Sequence, residues 1–113
     1  MSAKLATLDQ NSLFARAYRS KLSFVSPVLV TYVLRKKRGG IRIGITASKK
    51  IGCAVRRNRA RRIVKAAASN LLKNADGSFD IVFVCRAATG EKKSTDIEPV
   101  MRRQLVKAGV LHD

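Results

Sequence analysis

The sequence predicts an α/β (α+β) two-layer sandwich in which helices pack on one sheet. Isoleucines alternate with other residues over 41–46, and a nearly continuous apolar run covers 79–85, so both segments have the character of strands. Apolar residues recur at helical spacing over 56–73 and 96–109. With the N-terminal elements below, the predicted order is helix, strand, strand, helix, strand, helix. A length of 113 residues favours one domain over 1–113.

The N-terminal part of the chain is predicted to be an arm followed by a short helix. Residues 1–10 are polar and mixed, which is typical of a flexible arm. A helix is predicted over Asn11–Arg19, because its first residues can cap it and because Phe14 and Tyr18 lie four residues apart on one face. Aromatic residues at such spacing belong to a core or to a base-stacking surface, and the residues alone leave both open.

Two strands joined by a hairpin turn are predicted next. The segment Phe24–Leu34 is rich in Val, Tyr and Leu, and Pro27 near its beginning suggests an edge or a bulge. The basic segment Arg35–Gly40 ends in two glycines and is predicted as a hairpin turn. It leads into the strand Ile41–Thr46.

The C-terminal half is predicted to contain a basic helix, an interior strand and a final helix. A loop over 48–54 leads into the helix Arg56–Lys73, and a turn at 76–77 precedes the strand Phe79–Cys85. The final helix over 96–109 has two possible starts. Thr95 with Glu98 resembles a capping box, whereas Pro99 favours the first helical position.

The charge of the chain points to a polyanionic partner. The net charge is +17, and 17 Lys and Arg residues lie between Asp9 and Asp76 with no acid among them. Such a charge repels itself in a compact fold and concentrates polyanions around it. A generally basic, soluble surface is the alternative, but it does not explain so long a stretch without acids.

The cysteines and the apolar segments exclude several other classes of protein. Cys53 and Cys85 are too few for a disulfide scaffold, and no His stands near either, so we expect reduced thiols, no metal site and a cytoplasmic protein. No long apolar segment follows Lys4, which argues against a signal peptide, and the longest apolar stretches are only strand-sized, which argues against a membrane span.

The segment Ser48–Lys65 carries the strongest functional signal. It has eight Lys or Arg residues and no acid, and it runs from a loop into the start of a helix. A helix start already carries positive charge, so cations gathered there need a polyanion to offset their repulsion. Helical spacing places Ala60, Ile63, Val64, Ala67 and Leu71 on one apolar side of this helix. It places Asn58, Arg61, Arg62, Lys65 and Ser69 on the opposite side, facing solvent or a ligand. A nucleic acid backbone is the natural polyanion, and the candidate residues for binding it are Lys49, Lys50, Arg56, Arg57, Asn58, Arg59, Arg61, Arg62 and Lys65.

The sequence contains no recognisable catalytic constellation. Its only histidine is His112, and the acids over 76–98 are scattered around a turn and a helix start. A ribosomal or other structural RNA-binding protein would share this charge and size. A cationic membrane-surface protein is a weaker alternative, since it needs an exposed bulky apolar helix face and the basic helix has Ala-rich apolar positions.

The segment from Ile43 to Arg62 closely resembles the signature of the bacterial ribonuclease P protein subunit. Its residues are Ile43-Gly44-Ile45-Thr46-Ala47-Ser48-Lys49-Lys50-Ile51-Gly52-Cys53-Ala54-Val55-Arg56-Arg57-Asn58-Arg59-Ala60-Arg61-Arg62. The signature joins a Ser-Lys-Lys loop to an Arg-Asn-Arg helix start. A weaker resemblance extends over nearly the whole chain. The chain departs from the family pattern at Lys21, Cys53, Ala66 and Ala68.

The resemblance implies a function that the residues alone do not give. Ribonuclease P is an endoribonuclease that removes the 5′ leader of precursor tRNA, and its RNA subunit is the catalyst and holds magnesium ions. The protein subunit binds that RNA through a basic motif, which in this chain lies within Ser48–Lys65. It needs no cofactor or protein partner of its own. It holds the leader in a cleft that here would be lined by Phe14, Tyr18 and Tyr32, with Arg86 nearby. The family fold also implies a left-handed β-α-β crossover, which general rules disfavour.

Overall fold

The computed structural model describes residues 6–7 and 22–112, which form one mixed sheet and two helices. The sheet has five strands in the order β1-β4-β5-β3-β2, and the two helices confirm the mixed α/β class. The elements are β1 (Ala6–Thr7), β2 (Leu22–Val25), β3 (Leu29–Arg35), β4 (Ile41–Thr46), α1 (Ala54–Leu72), β5 (Phe79–Cys85) and α2 (Ser94–Lys107), with short 3₁₀ turns at Lys49–Ile51 and Thr89–Glu91.

Strand β5 lies inside the sheet, as its apolar sequence predicted. It pairs in parallel with β4, where Ile41 is opposite Phe79, and antiparallel with β3, where Leu29 is opposite Cys85. Helix α1 connects β4 to β5, so these three elements form a β-α-β unit between adjacent parallel strands. The left hand that the resemblance implies for this unit stays a prediction.

The single strand predicted over Phe24–Leu34 is wrong, because the segment folds into two antiparallel strands, β2 and β3. Ser26 forms the turn between them: its hydroxyl accepts hydrogen bonds from the backbone N–H groups of Val28 (3.3 Å) and Leu29 (3.0 Å). Pro27 has no N–H for a ladder and lies in the turn itself. The proline therefore lies in a reversal of the chain that directly follows β2, which is the strand at one edge of the described sheet.

The hairpin predicted at Arg35–Gly40 is also wrong. Strands β3 and β4 are not neighbours, because β5 lies between them. The connection spans the width of β5 and is tied to its beginning: Lys36 N–H donates to the Ser78 carbonyl (2.9 Å), and Phe79 N–H donates to the Gly40 carbonyl (3.2 Å). Local turn chemistry cannot reveal that a strand 38 residues later will occupy the space between two others.

The helices cover one face of the sheet and form the core with it. On α1, Ala60, Val64 and Ala67 are buried while Ile63 and Leu71 pack partly buried against the core, so the predicted apolar side is confirmed. The sheet contributes a row that includes Ile43, Ile81 and Phe83, and α2 contributes Ile97, Met101 and Leu105. The small residues of α1 suit close packing against its neighbours.

Helix α2 begins at Ser94, earlier than either of its predicted starts. The Asp96 carboxylate accepts a hydrogen bond from the Lys93 backbone N–H (3.0 Å), and Pro99 lies inside the helix. A buried amide, Gln104, fixes the helix to the sheet. Its Nε2 donates to the Leu29 carbonyl (3.1 Å), and its Oε1 accepts from the Thr31 hydroxyl (2.6 Å).

The N-terminal predictions fall mostly on residues that the structure does not describe. The predicted helix Asn11–Arg19, with Phe14 and Tyr18, lies outside the described residues. Two residues of the predicted arm form β1, where Ala6 pairs with Arg42 and Thr7 with Ile43. Within the described part of the chain, no helix is long and apolar enough to cross a membrane.

Candidate nucleic-acid interface

The fold places the basic motif at one edge of the sheet. Strands β4 and β5 are parallel, so their carboxyl ends meet at that edge, and the motif begins directly after β4. The turn Lys49–Ile51 is anchored by buried Ile51, while Lys49 and Lys50 are exposed on it. Gly52 follows with φ of 133°, a conformation that side-chain-bearing residues rarely adopt. A fixed turn therefore presents two lysines beside the start of α1.

Cations surround the first three turns of α1. Arg56, Arg59, Arg62 and Lys65 are exposed, while Arg57 and Arg61 are half-buried at the edge of the core. Arg61 was predicted on the side opposite the apolar residues, facing solvent or a ligand, and it is half-buried on the flank of the helix. Asn58, Arg62, Lys65 and Ser69 are exposed as predicted.

Asn58 makes a contact within the helix. Its Oδ1 accepts a hydrogen bond from Arg61 Nη1 at 2.8 Å, which is one helical turn away. This bond joins two side chains of the basic motif, and it is neither a helix cap nor a bond to the loop that precedes α1. It holds the Arg61 guanidinium in place, and the Asn58 side chain itself is exposed.

The motif cations are not neutralised within the described residues. The ion pairs between described residues join Asp80 to Lys36 and Arg42, and none involves the motif. The first turn of α1 has no acid either. In addition, Arg57 Nε is buried and has no hydrogen-bond partner in the part of the chain that the structure describes. An unsatisfied buried donor costs about 1–3 kcal/mol, so an acceptor bound there would recover stability.

The two cysteines lie in opposite environments near this edge. Cys53 is exposed at the N-cap of α1. The pKa of its thiol is lowered, first by the backbone N–H of Arg56, with desolvation opposing, and then by the N–H of Val55 and the Arg56 charge. Cys85 is buried, and desolvation raises its pKa to about 11 although the Arg61 charge acts the other way. The electropositive helix start thus acts on the thiol at Cys53 as it would on any anion.

The predicted cleft residues that the structure describes lie along the sheet face that turns away from α2. Thr31 bonds to α2, so its neighbour Tyr32 points to the other face, where it is half-buried. Tyr32 pairs with Val82, and Val82 pairs with Gly44, which adds no side chain to that row. Arg86 follows the end of β5 and is exposed. Four residues of strand, roughly 13 Å, separate its position from the Tyr32 pair, so the two mark separate points along one surface.

The basic motif and Arg86 both follow the carboxyl ends of the parallel strands β4 and β5. The motif begins after Thr46, and Arg86 directly follows Cys85, so both lie at the same edge of the sheet. Phe14 and Tyr18, the other predicted cleft residues, lie outside the described residues.

The turn Thr89–Glu91 also lies at the edge of the sheet that carries the basic motif, and the sequence did not predict it there. The turn lies against the start of α1 and closes a cavity with Arg56 and Arg59. Thr89 holds it in place, since its buried hydroxyl donates to the Val28 carbonyl (2.6 Å) and accepts from the Arg86 N–H (2.8 Å). No pattern in the sequence joins this turn to the basic motif, because about 30 residues separate them and only the fold brings them together.

Metal ligands are not grouped in the described part of the chain. Residues 6–7 and 22–112 contain no cluster of three or more His, Cys, Asp or Glu side chains that could hold an ion. What the edge offers is a dense set of guanidinium and ammonium groups, and guanidinium groups bind phosphate oxygens in a bidentate manner.

Comparison with known proteins points to one family. A family model described as Ribonuclease P matches residues 2–109. A ribonuclease P protein component from Clostridioides difficile (strain 630) is 37% identical over 101 residues, covering 88% of this chain and 88% of that protein. One from Clostridium botulinum (strain Loch Maree / Type A3) is 34% identical over 104 residues, covering 91% and 94%.

Solved structures agree with these sequence relatives. The RNase P protein of Staphylococcus aureus is similar with a TM-score of 0.79 and 27% identity, covering 95% of this chain and 98% of that one. The RNase P protein of Thermotoga maritima has the same fold with a TM-score of 0.71 at 21% identity, covering 83% and 89%.

Proposed function

We propose a detailed function on the premise that this chain belongs to the ribonuclease P protein family. Membership makes it a component of an endoribonuclease complex that acts in tRNA 5′ processing through RNA binding. The proposal is that the basic motif binds the catalytic RNA of that complex and that the sheet face with Tyr32 binds the 5′ leader of precursor tRNA.

The observation that carries the proposal is the unneutralised set of cations at the start of α1. Eight Lys and Arg residues lie between Ser48 and Lys65, and none is paired with an acid among the described residues. Each cation that meets an RNA phosphate releases condensed counterions, which is the main source of affinity for a nucleic acid backbone. A surface built in this way binds RNA at the expense of repulsion within the free protein.

The assignment of the leader to the sheet face rests on Tyr32 and on its distance from the motif. Aromatic faces hold single strands by stacking, without preference for sequence. Tyr32 is half-buried on a face that leads along β5 toward Arg86 and the motif. The leader is the single-stranded part of the substrate, which suits a stacking surface next to a phosphate-binding one.

The chemistry is assigned to the RNA subunit. We expect magnesium ions in the RNA active site and no cofactor on the protein, and we expect the complex to work in the cytoplasm without another protein. The role of the chain is then to position the precursor and to screen phosphate repulsion between two RNAs.

Reconstitution tests this function directly. The protein is mixed with a bacterial ribonuclease P RNA at low magnesium, and cleavage of precursor tRNA is followed. We expect the protein to stimulate cleavage at the 5′ end of the mature sequence, and RNA-free protein to leave the precursor intact. Site-specific cleavage that survives removal of all RNA would place the chemistry on the protein, and absence of stimulation would remove the proposed role.

The leader assignment predicts a selective loss of binding. Tyr32→Ala should weaken the binding of precursor tRNA by the reconstituted complex by about one to two decades, since stacking contributes roughly 1–3 kcal/mol per base. Binding of mature tRNA, which has no leader, should not change. Phe14→Ala and Tyr18→Ala should behave alike if these residues line the same cleft.

The control for this test separates stacking from folding. Tyr32→Phe keeps the ring and should retain most of the binding, while thermal unfolding of each variant reports damage to the core. Equal losses for precursor and mature tRNA in a variant that folds normally would show that Tyr32 does not contact the leader.

A further inference from the structure

A cavity between the start of α1 and the turn Thr89–Glu91 has a composition unlike the rest of the basic surface. Its volume is about 210 Å³, and it is lined by Ile51, Arg56, Arg59, Ala87, Gly90 and Glu91. Pockets for drug-sized ligands enclose about 300–1,000 Å³, so this one suits a single flat group. Two guanidinium groups, one carboxylate and a small apolar wall surround it.

The carboxylate of Glu91 is the unexpected member of this set. It lines the same cavity as Arg56 and Arg59, yet it forms no ion pair with either in the described structure. A negative charge at that position repels phosphates and so weakens a surface that serves only to bind an RNA backbone. The Glu91 carboxylate is exposed, so its oxygens are available to a ligand that donates hydrogen bonds.

The position of Glu91 is fixed by the turn that carries it. Glu91 N–H donates to the Ala88 carbonyl (3.2 Å), and Lys92 N–H donates to the Thr89 carbonyl (3.1 Å). Thr89 is fully buried and tied to Val28 and Arg86, so the turn is held to the sheet. The carboxylate and the two guanidinium groups thus face the cavity from two rigid elements, which favours recognition of one ligand shape.

We propose that this cavity binds one unpaired guanine of the RNA partner, with Glu91 accepting hydrogen bonds from the base. Guanine presents N1–H and N2–H side by side on its pairing edge, and a carboxylate can accept both. Arg56 and Arg59 would stack on the base or hold its flanking phosphates, and Ile51 and Ala87 would contact its face. This inference rests on the proposed RNA binding and adds recognition of a base to it.

A carboxylate-to-amide substitution tests the proposal by the sign of its effect. Glu91→Gln removes one negative charge, so a purely electrostatic surface would bind the catalytic RNA more tightly. If Glu91 receives the guanine edge, the amide loses one acceptor and affinity falls about tenfold instead. Asp76→Asn is the matched control, because Asp76 is also exposed but lies beyond the other end of α1, about 28 Å along the helix. It should leave affinity unchanged or slightly raised.

Footprinting identifies the base. Kethoxal modifies N1 and N2 of unpaired guanines, so the wild-type protein and Asp76→Asn should protect one guanine of the RNA that Glu91→Gln leaves reactive. Equal or tighter RNA binding by Glu91→Gln, or the absence of any guanine that the wild-type protein protects and Glu91→Gln leaves reactive, would each overturn the proposal. Failure of the wild-type protein to bind the RNA at all would overturn the proposed function itself, so the two failures are distinguishable.

Discussion

Two groups of cations in this molecule have opposite relations to the fold. Lys36 and Arg42 surround Asp80, whose side chain is 1% exposed: Lys36 Nζ and Arg42 Nε lie 2.9 Å from its Oδ1, and Arg42 Nη2 lies 3.0 Å from its Oδ2. The cations at the start of α1 have no such carboxylate among the described residues. The first group is satisfied within the protein, and the second is left for a partner.

The difference teaches how the same residue type acquires a structural or a binding role. Arg42 lies directly opposite Asp80 in the pairing of β4 with β5, so the sheet register itself brings the charges together. Arg56 and its neighbours lie at the start of α1. Glu91 lines the same cavity as Arg56 and Arg59, but it forms no ion pair with these cations in the described structure. Cations that the fold neutralises stabilise it, whereas cations left unpaired cost stability and, on the proposed function, supply affinity for RNA.

The largest expected effect comes from breaking the neutralised group. Asp80→Ala leaves two cations around a buried site and should lower the free energy of unfolding by about 3 kcal/mol. Chemical denaturation of the two proteins at neutral pH measures this loss. A loss below about 1 kcal/mol would show that the pair does not stabilise the fold.

The ion pairs of Asp80 with Lys36 and Arg42 predict that the stability of the fold depends on pH. Burial raises the pKa of Asp80, but the hydrogen bonds and charges of Arg42 and Lys36 outweigh it and hold the pKa below its ordinary value of 3.8. Because the folded pKa is lowered, the stabilisation is complete above pH 3.8 and disappears as the pH falls through the folded value. The difference between wild type and Asp80→Ala should therefore shrink only in strong acid.

A smaller effect of opposite sign is expected for the unpaired group. Arg56 is exposed in the first turn of α1, where a positive charge opposes the helix dipole, so Arg56→Gln should raise the free energy of unfolding by about 0.3–1 kcal/mol. The same variant should bind the RNA subunit more weakly, and its salt slope should change by about one unit. Denaturation and a salt series of binding measurements check the two results.

A lysine at the C-terminal end of the second helix, α2, provides the control. Lys107 is exposed in the last turn of α2, where a cation favours the dipole, so Lys107→Gln should lower stability by about 0.3–1 kcal/mol. If Arg56→Gln destabilised the protein as Lys107→Gln does, the motif would contribute to the fold and the contrast between the two groups of cations would fail.

The sequence by itself determined the elements whose signals are local. The spacing of Ala60, Val64 and Ala67 predicted α1, and the apolar run Phe79–Cys85 predicted an interior strand. Both predictions succeeded because helical and strand periodicity are properties of neighbouring residues. The motif was also visible, since charge density along the chain survives folding. The family resemblance added the cleft assignment, which periodicity could not supply.

Only the tertiary structure decided which distant segments meet. β5 separates β3 from β4, so the turn at Arg35–Gly40 is no hairpin, and the same insertion sets Asp80 beside Arg42. The turn at Thr89–Glu91 reaches α1 because Thr89 bonds back to Val28, 61 residues earlier. These contacts depend on strand order and register, which are settled by burial of the whole sheet rather than by any stretch of sequence. The Glu91 carboxylate lines one cavity with Arg56 and Arg59 and forms no ion pair with a described residue, an arrangement that only the folded chain reveals.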